Sequence, residues 1–593
     1  MKRGSGGARE PGSRGRRPVF VALALLCAGA GPAAAMQDSV VRISPEKRAP
    51  DSTGLNVLPA AIVQELLRSY NDSGTTRIVG GFRLPAGSRL TGPLGVFRGS
   101  LRVSGEVIGR ITVINGDLII DSGAHVSGEM LVVGGQILIR EGARVEGRQR
   151  FYPVQARLTR NGAGLLVIPP PAQTLGDLAS VRAPITTGHF RTDLGVETGR
   201  TYNRIEGLPI VFGPSITREG LRDVEARLDL RGIVWTAPDK TDRRSEFGYS
   251  GRVEFRFGVE RRLSVSGNAY RMIAPIEEQP LSRSEVGWAG FVLQRDYRDF
   301  YQAQGAAGHM SYNLGSGLTI GTSIRYDAER SVPAGDPISL FRNTVWRPNP
   351  LVDDGHYITW RVGLDLDTRN EPASPTSGWL VHTYWEQTRS NDAAPVSLPS
   401  EVRNPIAPGR YASARIMFDA RRYARINPSV RASIRVVGAG WISGDPLPVQ
   451  RRLSLGGPDI LPGYSFRSFN CVPPSLVDPS QPALCDRMLA TQLELRTRTH
   501  IGLPLSTSDP YIGALQRLLA IREPDLVIFG DLGKSWITGE GPGRVPNNRL
   551  PVLREWASDV GFGVDLGGIG FYLAQPLTDS RPLLFSVRLQ RRF

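Results

Sequence analysis

From about residue 196 to the end of the chain, apolar and polar residues alternate along many short segments. The clearest alternating segments are 253–259, 318–325, 412–419, 430–436, 489–496 and 583–590. An alternation of period two predicts β-strands with one apolar and one polar face. Strands near ten residues long, in this number, are typical of a transmembrane β-barrel that is apolar toward lipid and charged toward its lumen. A soluble antiparallel sheet with one solvated face has the same period and stays an alternative.

A different pattern occupies residues 75–150. The segment 116–128 aligns with the segment 135–147 at an offset of 19 residues, with glycine at both ends of each copy and aliphatic residues after the first glycine. Short β-branched strands separated by glycine at such a period predict a stacked β-solenoid, in which each turn buries its strand against the next. An ordinary β-sandwich is the alternative. The stretch resembles the polymer-forming β-helix of the bactofilin type, which implies a partner or self-association through the solenoid.

The predicted fold class is therefore all-β, with a small solenoid before a C-terminal transmembrane antiparallel barrel. At about 25 residues for each strand and its connection, residues 196–593 predict about 16 strands. Residues 36–74 are polar and contain an amphipathic helical pattern around 57–70. Residues 151–195 hold three consecutive prolines and few periodic runs, so we predict a linker there.

The beginning of the chain has the pattern of an export signal. An arginine-rich segment at 14–17 precedes an apolar run at 19–26, and small residues follow up to Ala35. A positive region, an apolar run too short to span a membrane and an alanine-rich end predict a secretory signal peptide over residues 1–35. A short buried helix is the alternative. Export predicts an outer-membrane location for the barrel, with the N-terminal domain in the periplasm.

Charge and composition exclude some of the possible classes of protein. The net charge is +16, and 68 of the 72 basic residues are arginines. These charges are spread along the chain, which disfavours a nucleic-acid-binding protein. An arginine excess suits a polar lumen or contact with outer-membrane lipid and lipopolysaccharide. No internal apolar run reaches the roughly 18 residues of a membrane-spanning helix, which excludes a helical membrane protein.

After export, two cysteines remain, Cys471 and Cys485, and both lie in one proline-rich stretch. In an oxidising compartment this arrangement predicts a local disulfide in a loop. Two free thiols are the alternative.

Several motifs of the alternating region follow one another in the order known from one family. They are Asp367-Thr368-Arg369 with Pro375-Thr376-Ser377-Gly378-Trp379, Leu455-Gly456-Gly457-Pro458 with Gly463-Tyr464, Glu494, Phe529-Gly530-Asp531-Leu532-Gly533, and Gly561-Phe562-Gly563. Together they are similar to the BamA/TamA superfamily of outer-membrane assembly barrels, also called bacterial surface antigen barrels. The resemblance covers residues from about 200 to 593.

The resemblance implies a signature loop that folds back into the lumen. Its residues here are Gly456, Gly457, Pro458, Gly463, Tyr464 and Arg467, and the implied anchors on the lumen wall are Glu494, Phe529, Asp531 and Gly533. The arginine that usually precedes the glycine-aromatic pair is Pro462 in this chain. We therefore predict that Arg467 serves the two wall carboxylates, with wall arginines such as Arg496 as the alternative. A terminal aromatic residue, Phe593, is predicted to act as the signal for barrel assembly.

The family resemblance implies a role in outer-membrane protein assembly or translocation, with nascent outer-membrane proteins as partners. Residues 36–195 show no α/β repeat of the POTRA type that usually accompanies this family. Two alternatives therefore stay open: a structural outer-membrane anchor whose solenoid binds a polymer or partner, and a passive channel. The six histidines are scattered and Gly533-Lys534-Ser535 lacks the upstream glycine of a phosphate loop. We predict no enzyme activity, no cofactor and no metal.

Overall fold

A computed structural model provides the structure of the chain. It describes residues 40–42, 58, 60–152, 156, 158–160, 164–167, 180–198, 201–218, 224–237, 247–258, 262–277, 281–315, 317–341, 344–369, 375–427, 430–476, 478–498, 524–566 and 569–592. The predicted signal peptide, residues 1–35, and Phe593 lie outside this part of the chain. No helix among the described residues has the length and apolar character needed to cross a bilayer.

The N-terminal unit is a solenoid with a helix on its side. Its strands are β1 (Val40–Arg42), β2 (Thr76–Val79), β3 (Phe82–Leu84), β4 (Arg89–Thr91), β5 (Leu94–Phe97), β6 (Leu101–Val103), β7 (Glu106–Ile108), β8 (Ile111–Ile114), β9 (Leu118–Ile120), β10 (His125–Val126), β11 (Met130–Val133), β12 (Ile137–Arg140), β13 (Arg144–Val145) and β14 (Gln149–Tyr152). The helix is α1 (Ala60–Asn71), and a small hairpin follows, formed by β15 (Thr159–Arg160) and β16 (Leu166–Val167).

Strands β2 to β14 form three parallel sheets, with every third strand in the same sheet. Leu118 pairs in register with Ile137, which is the alignment that the 19-residue offset predicts. Gly135 stacks so closely on Gly116 that an added Cβ would lie 1.9 Å from the Gly116 carbonyl oxygen. Only glycine tolerates this backbone approach, which explains its periodic recurrence. The predicted solenoid is confirmed.

The amphipathic pattern around 57–70 forms helix α1, which lies on the outside of one solenoid sheet. Leu66 and Tyr70 are fully buried there and pack with Phe97 and Ile114, which point outward from their strands. The apolar stripe of the helix therefore covers apolar residues that the solenoid interior cannot hold.

The C-terminal unit is one large antiparallel sheet. Its strands are β17 (Ser180–Thr187), β18 (Phe190–Thr198), β19 (Ile210–Arg218), β20 (Val224–Val234), β21 (Phe247–Phe257), β22 (Leu263–Pro275), β23 (Phe300–Gly315), β24 (Leu318–Arg330), β25 (Gly355–Asp367), β26 (Gly378–Ala393), β27 (Gly409–Arg425), β28 (Val430–Gly444), β29 (Arg487–Arg498), β30 (Asp525–Thr538), β32 (Ala557–Asp565), β33 (Gly570–Pro576) and β34 (Leu584–Arg588). A two-residue strand, β31 (Arg544–Val545), pairs with the end of β30. Helix α2 (Arg283–Leu293) lies between β22 and β23, and Val449–Arg451 and Leu553–Glu555 form short 3₁₀ turns.

The all-β fold class is confirmed: the antiparallel sheet has 17 strands among the described residues, against about 16 predicted. One domain boundary needs correction, because the sheet starts within the predicted linker. It begins at Ser180, so β17 and most of β18 lie in the segment 151–195 that the sequence predicts as a linker. Their outward positions carry apolar residues, but the segment also contains Pro184 and Gly195, and both residue types are uncommon inside strands.

The faces of the sheet confirm the alternation. Ile324, Phe562 and Phe585 are 57%, 56% and 59% exposed on the outer face. Arg435 and Glu494 are 2% and 3% exposed on the inner face. A soluble protein hides its apolar residues and exposes its charges, so this inverted arrangement is what a lipid-facing sheet requires.

The connections divide between two ends of the sheet. The connections 199–209, 276–299, 331–354, 394–408 and 445–486 lie together at what we call the loop end. The described turn residues 188–189, 317 and 426–427 lie at the opposite end, the turn end. Arg425, the last residue of β27 at the turn end, forms an ion pair with Asp117 of the solenoid. This contact places the solenoid beside the turn end.

Candidate functional site

The connection between β28 and β29, residues 445–486, is folded against the inner face of the sheet. Leu455, Leu461 and Tyr464 are buried and pack with Val437 of β28 and Ala490 of β29. Burial of three large apolar side chains stabilises the folded-back position by several kcal/mol, at about 1.5–3 kcal/mol each. The structure thus places the predicted signature loop inside the sheet, and we call residues 453–469 the lumenal segment.

Gly463 lets this segment approach the wall closely. Its N–H donates to Asp559 Oδ2 of β32 at 2.7 Å, and a Cβ at this position would lie 2.7 Å from the Asp559 Cβ. Gly456 and Gly457 have φ values of 109° and 117°, which favour glycine. On the wall, Gly533 leaves room for Leu455, since an added Cβ would lie 2.8 Å from Leu455 Cδ2.

The lumenal segment touches strands that are far apart in the sheet. Gly463 binds Asp559 on β32, and four residues later Arg467 binds Glu277 after β22 and Asp299 before β23. Contacts to both halves of the sheet from a span this short require the sheet to curve around the segment. The segment therefore fills the lumen near its loop end.

Arg467 has partners other than the predicted ones. Its side chain is fully buried, and it pairs with Asp299 and with Glu277, whose carboxylate lies 3.0 Å away. Burial alone would raise the pKa of Asp299, but the Arg467, Arg347 and Arg204 guanidinium groups lower it to about 2. The prediction that Arg467 serves Glu494 and Asp531 is wrong, because residues 463–467 run toward β22 and β23 and away from β29 and β30.

The two predicted wall carboxylates each accept a hydrogen bond from an arginine other than Arg467. Glu494 accepts from Arg496 Nε at 3.0 Å, which is the alternative that the sequence left open. Asp531 accepts from Arg592 at 2.5 Å. The Arg592 guanidinium also lies over the Phe529 ring, 3.8 Å from its centroid. Arg592 was missed because it is close to Asp531 only through the curvature of the sheet.

Two further wall residues hold the lumenal segment and were not predicted. Gln492 Nε2 donates to the backbone oxygens of Asp459 and Ile460, at 3.0 Å each. Arg435 pairs with Asp419 at 2.8 Å and with Asp459 at 3.3 Å. Both wall residues occupy inward positions of the period-two pattern, which is the only sequence signal they carry.

The structure contains the predicted disulfide between Cys471 and Cys485, with a Cα–Cα distance of 5.2 Å. It closes a loop of 14 residues that begins directly after the lumenal segment. Such a link contributes about 3 kcal/mol by restricting the unfolded chain, on the chain-entropy model.

The edges of the sheet form a second feature of the site. Within the described residues, β34 pairs only with β33 and β17 pairs only with β18. The end of β34 is held by α2: Glu285 accepts from Arg588 Nε at 2.8 Å and from the Leu589 N–H at 2.9 Å. Burial favours the neutral acid, but Arg588, Ser282 and the Leu589 N–H outweigh it and lower the pKa of Glu285.

A groove of about 1020 Å³ lies between α2 and the last strand. Its apolar lining includes Trp288 and Val292 of α2 and Phe585 and Val587 of β34. Phe585 and Val587 also belong to the exposed outer face of the sheet. The groove is therefore continuous with the surface that faces lipid in a membrane barrel.

No protein-family model and no curated protein matches this chain. Solved structures similar to it include BamA from Haemophilus ducreyi lacking POTRA domains 1–3, at 13% identity and a TM-score of 0.38, covering 76% of this chain and 85% of that one. CdiB from Escherichia coli is similar at 11% identity and a TM-score of 0.30, and the match covers 73% of this chain and 66% of that one. CdiB from Acinetobacter baumannii is similar at 12% identity and a TM-score of 0.27, and the match covers 68% of this chain and 59% of that one.

Proposed function

We propose that this chain is an outer-membrane barrel that acts in the assembly or translocation of outer-membrane proteins. It works without chemical catalysis, a cofactor or a metal, by exchanging strand hydrogen bonds at the seam between the first and last strands of its sheet. The observation that carries the proposal is the edge of β34, which no other strand covers in the described part of the chain. A free edge presents a row of backbone donors and acceptors to an incoming strand. The motif resemblance to assembly barrels supports the same role.

The filled lumen argues for exchange at the edge and against a passive channel. The lumenal segment is tied to the wall through Gly463, Arg467 and Gln492, and most of these contacts are buried. An open water-filled pore needs a lumen without such a segment. The partners in this proposal are nascent outer-membrane proteins at the edge, with outer-membrane lipid and lipopolysaccharide around the apolar face. The solenoid then lies on the periplasmic side.

A structural anchor is the second candidate, and one observation favours it. The ion pair between Arg425 and Asp117 fixes the solenoid at the turn end, where a periplasmic polymer or partner could reach it. An anchor would need this contact and would not need the free edge of β34. The two candidates therefore predict different effects when the edge is probed.

A photoreactive residue at position 585 tests the proposal in whole cells. Phe585 lies on β34, and Phe562 on β32 is the matched control, since it is similarly exposed but has strands on both sides. Crosslinks from position 585 to other outer-membrane proteins, absent at position 562, support edge exchange. Equal labelling at both positions, or lipid alone at position 585, contradicts it. Depletion of the protein should also lower the levels of many outer-membrane proteins, whereas an anchor would alter envelope shape alone.

A further inference from the structure

Among the described residues the large sheet has 17 antiparallel strands, which leaves one edge strand supernumerary. Because the number is odd, the first strand, β17, and the last, β34, run in the same direction, from the loop end to the turn end. A sheet closes with antiparallel pairing only when its strand number is even. The strand that runs opposite to β34 is β18, so β18 is the antiparallel partner that β34 lacks.

β17 occupies the edge of β18 over eight residue pairs, from Ser180 opposite Glu197 to Thr187 opposite Phe190. It has the features of a strand added from outside. It presents Ala183 and Ile185 on the exposed outer face, as a membrane strand does. Among the described residues, no strand pairs with its outer edge.

Pro184 makes this strand a terminal one. It stands opposite Asp193 and has no N–H to donate. A proline is tolerated in a sheet where its nitrogen faces away from the neighbouring strand. The N–H groups of Ala183 and Ile185 then face β18, and the outer edge of β17 lacks a donor at its centre. A further strand would therefore pair poorly with β17, so extension of the sheet stops there.

The opposite edge is also held by the chain itself. Glu285 of α2 accepts from the backbone of Leu589 and the side chain of Arg588, at the end of β34. The two strands able to pair with each other, β18 and β34, are thus each engaged by another element of the same chain. Glu285 engages β34 through hydrogen bonds at the end of that strand, and β17 engages β18 along a ladder of eight residue pairs.

We infer that residues 180–187 are a built-in strand that competes with client strands for the edge of β18. This inference rests on the proposed function and adds to it the kind of partner: an extended segment, antiparallel to β18, with apolar residues at alternate positions. A client that reaches β18 must displace β17. Weakening β17 therefore favours client capture, and locking β17 prevents it.

The test uses the full chain in cells, with a photoreactive residue at Val196 of β18 to report what lies at this edge. For the lock, Ala183→Cys is combined with Leu194→Cys, because these residues stand opposite each other. Ala183→Cys with Phe190→Cys is the unlocked control, since Phe190 pairs with Thr187 instead. Oxidation should form the bond in the first pair only, as shown by mass mapping.

For the weakened strand, Ile185→Pro removes one donor that faces β18, and Thr186→Pro is the matched control whose nitrogen faces away. We expect Ile185→Pro to raise crosslinking of other proteins at position 196 by about fivefold, as the loss of one hydrogen bond predicts. The lock should abolish this crosslinking, and the reductant should restore it. Crosslinking that neither variant changes, or that transfers to the chain's own β34, overturns the inference. If position 585 also captures no protein, the proposed function itself has failed.

Discussion

The two units of this protein place their apolar residues on opposite sides of their strands. In the solenoid, Val113, Val132 and Ile137 point inward and are at most 1% exposed. In the large sheet, residues such as Ile324 and Phe585 point outward, and the interior holds charges. The same period of two thus encodes a dry core in one unit and a polar lumen in the other. The surroundings of each unit decide which face points outward: a polar face toward water, and an apolar face toward lipid.

The two interiors are also held together differently. The solenoid core is continuous aliphatic packing, in which each turn adds contacts to its neighbours. The interior of the sheet combines the apolar contacts of the lumenal segment with many ion pairs, of which Arg467 with Asp299 and Arg592 with Asp531 are nearly fully buried. A hydrophobic core tolerates changes of shape poorly and charges not at all. An ion-pair interior fails when one partner is removed and the other stays buried.

The largest effect should come from a charge placed in the solenoid core. Val132→Asp buries an unpaired carboxylate, so we expect a loss above about 4 kcal/mol and an unfolded solenoid. Ile324→Asp, the same change on the outer face of the sheet, should cost about 2 kcal/mol or less. Limited proteolysis of the solenoid and heat-modifiable gel mobility of the barrel measure the two losses separately. Equal losses would contradict the inverted arrangement of the two units.

Removal of a buried charge should rank second. Arg467→Ala leaves Asp299 and Glu277 without this partner, so we expect the barrel to lose about 3–5 kcal/mol. The loss should shrink when Asp299→Asn is added, because coupled partners are not additive. Urea unfolding followed by tryptophan fluorescence measures it, and Arg554→Ala, at an exposed site of the loop end, is the control. Additive effects of the two substitutions would argue against the pairing.

The disulfide gives a third and smaller effect, confined to the sheet. Replacing Cys471 and Cys485 together with alanine should lower the free energy of unfolding of the barrel by about 3 kcal/mol. Proteolysis of the solenoid should not change, since the link lies in the connection between β28 and β29. Mass mapping without reductant that finds both thiols free in the parent protein would exclude this contribution.

The last effect, no larger than that of the disulfide, is a pH dependence of opposite sign in the two units. Burial raises the pKa of Glu206, in the connection 199–209, to about 7, although Asn203 donates to it. The folded state then keeps a proton that the unfolded chain releases near pH 4.5. The barrel should therefore lose up to about 3 kcal/mol as the pH rises from about 4.5 to 7. Glu206→Gln should remove this dependence.

Glu65 in α1 should behave in the opposite way. A hydrogen bond from Arg150 lowers its pKa, which outweighs the effect of partial burial. Its contribution to the solenoid is present above the ordinary glutamate pKa and is lost as the pH falls through the lowered value. Stability against pH, measured for each unit by proteolysis, checks both signs. If the barrel of the Glu206→Gln variant still loses stability as the pH rises from about 4.5 to 7, Glu206 is not the group responsible.

Much of this architecture could be predicted from local patterns. The offset between 116–128 and 135–147 predicted the stacking of Gly116 on Gly135, and the period of two predicted most strands of the sheet. Strands β17 and β18 were not predicted in this way, because they contain Pro184 and Gly195, residue types that strands disfavour. The lumenal position of 453–469 followed from the motif resemblance rather than from any local propensity.

The sequence by itself determined most of the strands, their faces and the presence of two units, because these depend on neighbours within about 20 residues. Only the tertiary structure decided the pairing of the charges. Arg467 lies 168 residues from Asp299, and Arg592 lies 61 residues from Asp531. Arginines at inward positions all have the same local pattern, so the curvature of the sheet selects the partner of each one. The odd number of strands, and with it the place of β17 at the edge of β18, likewise depends on the whole sheet and on no single segment.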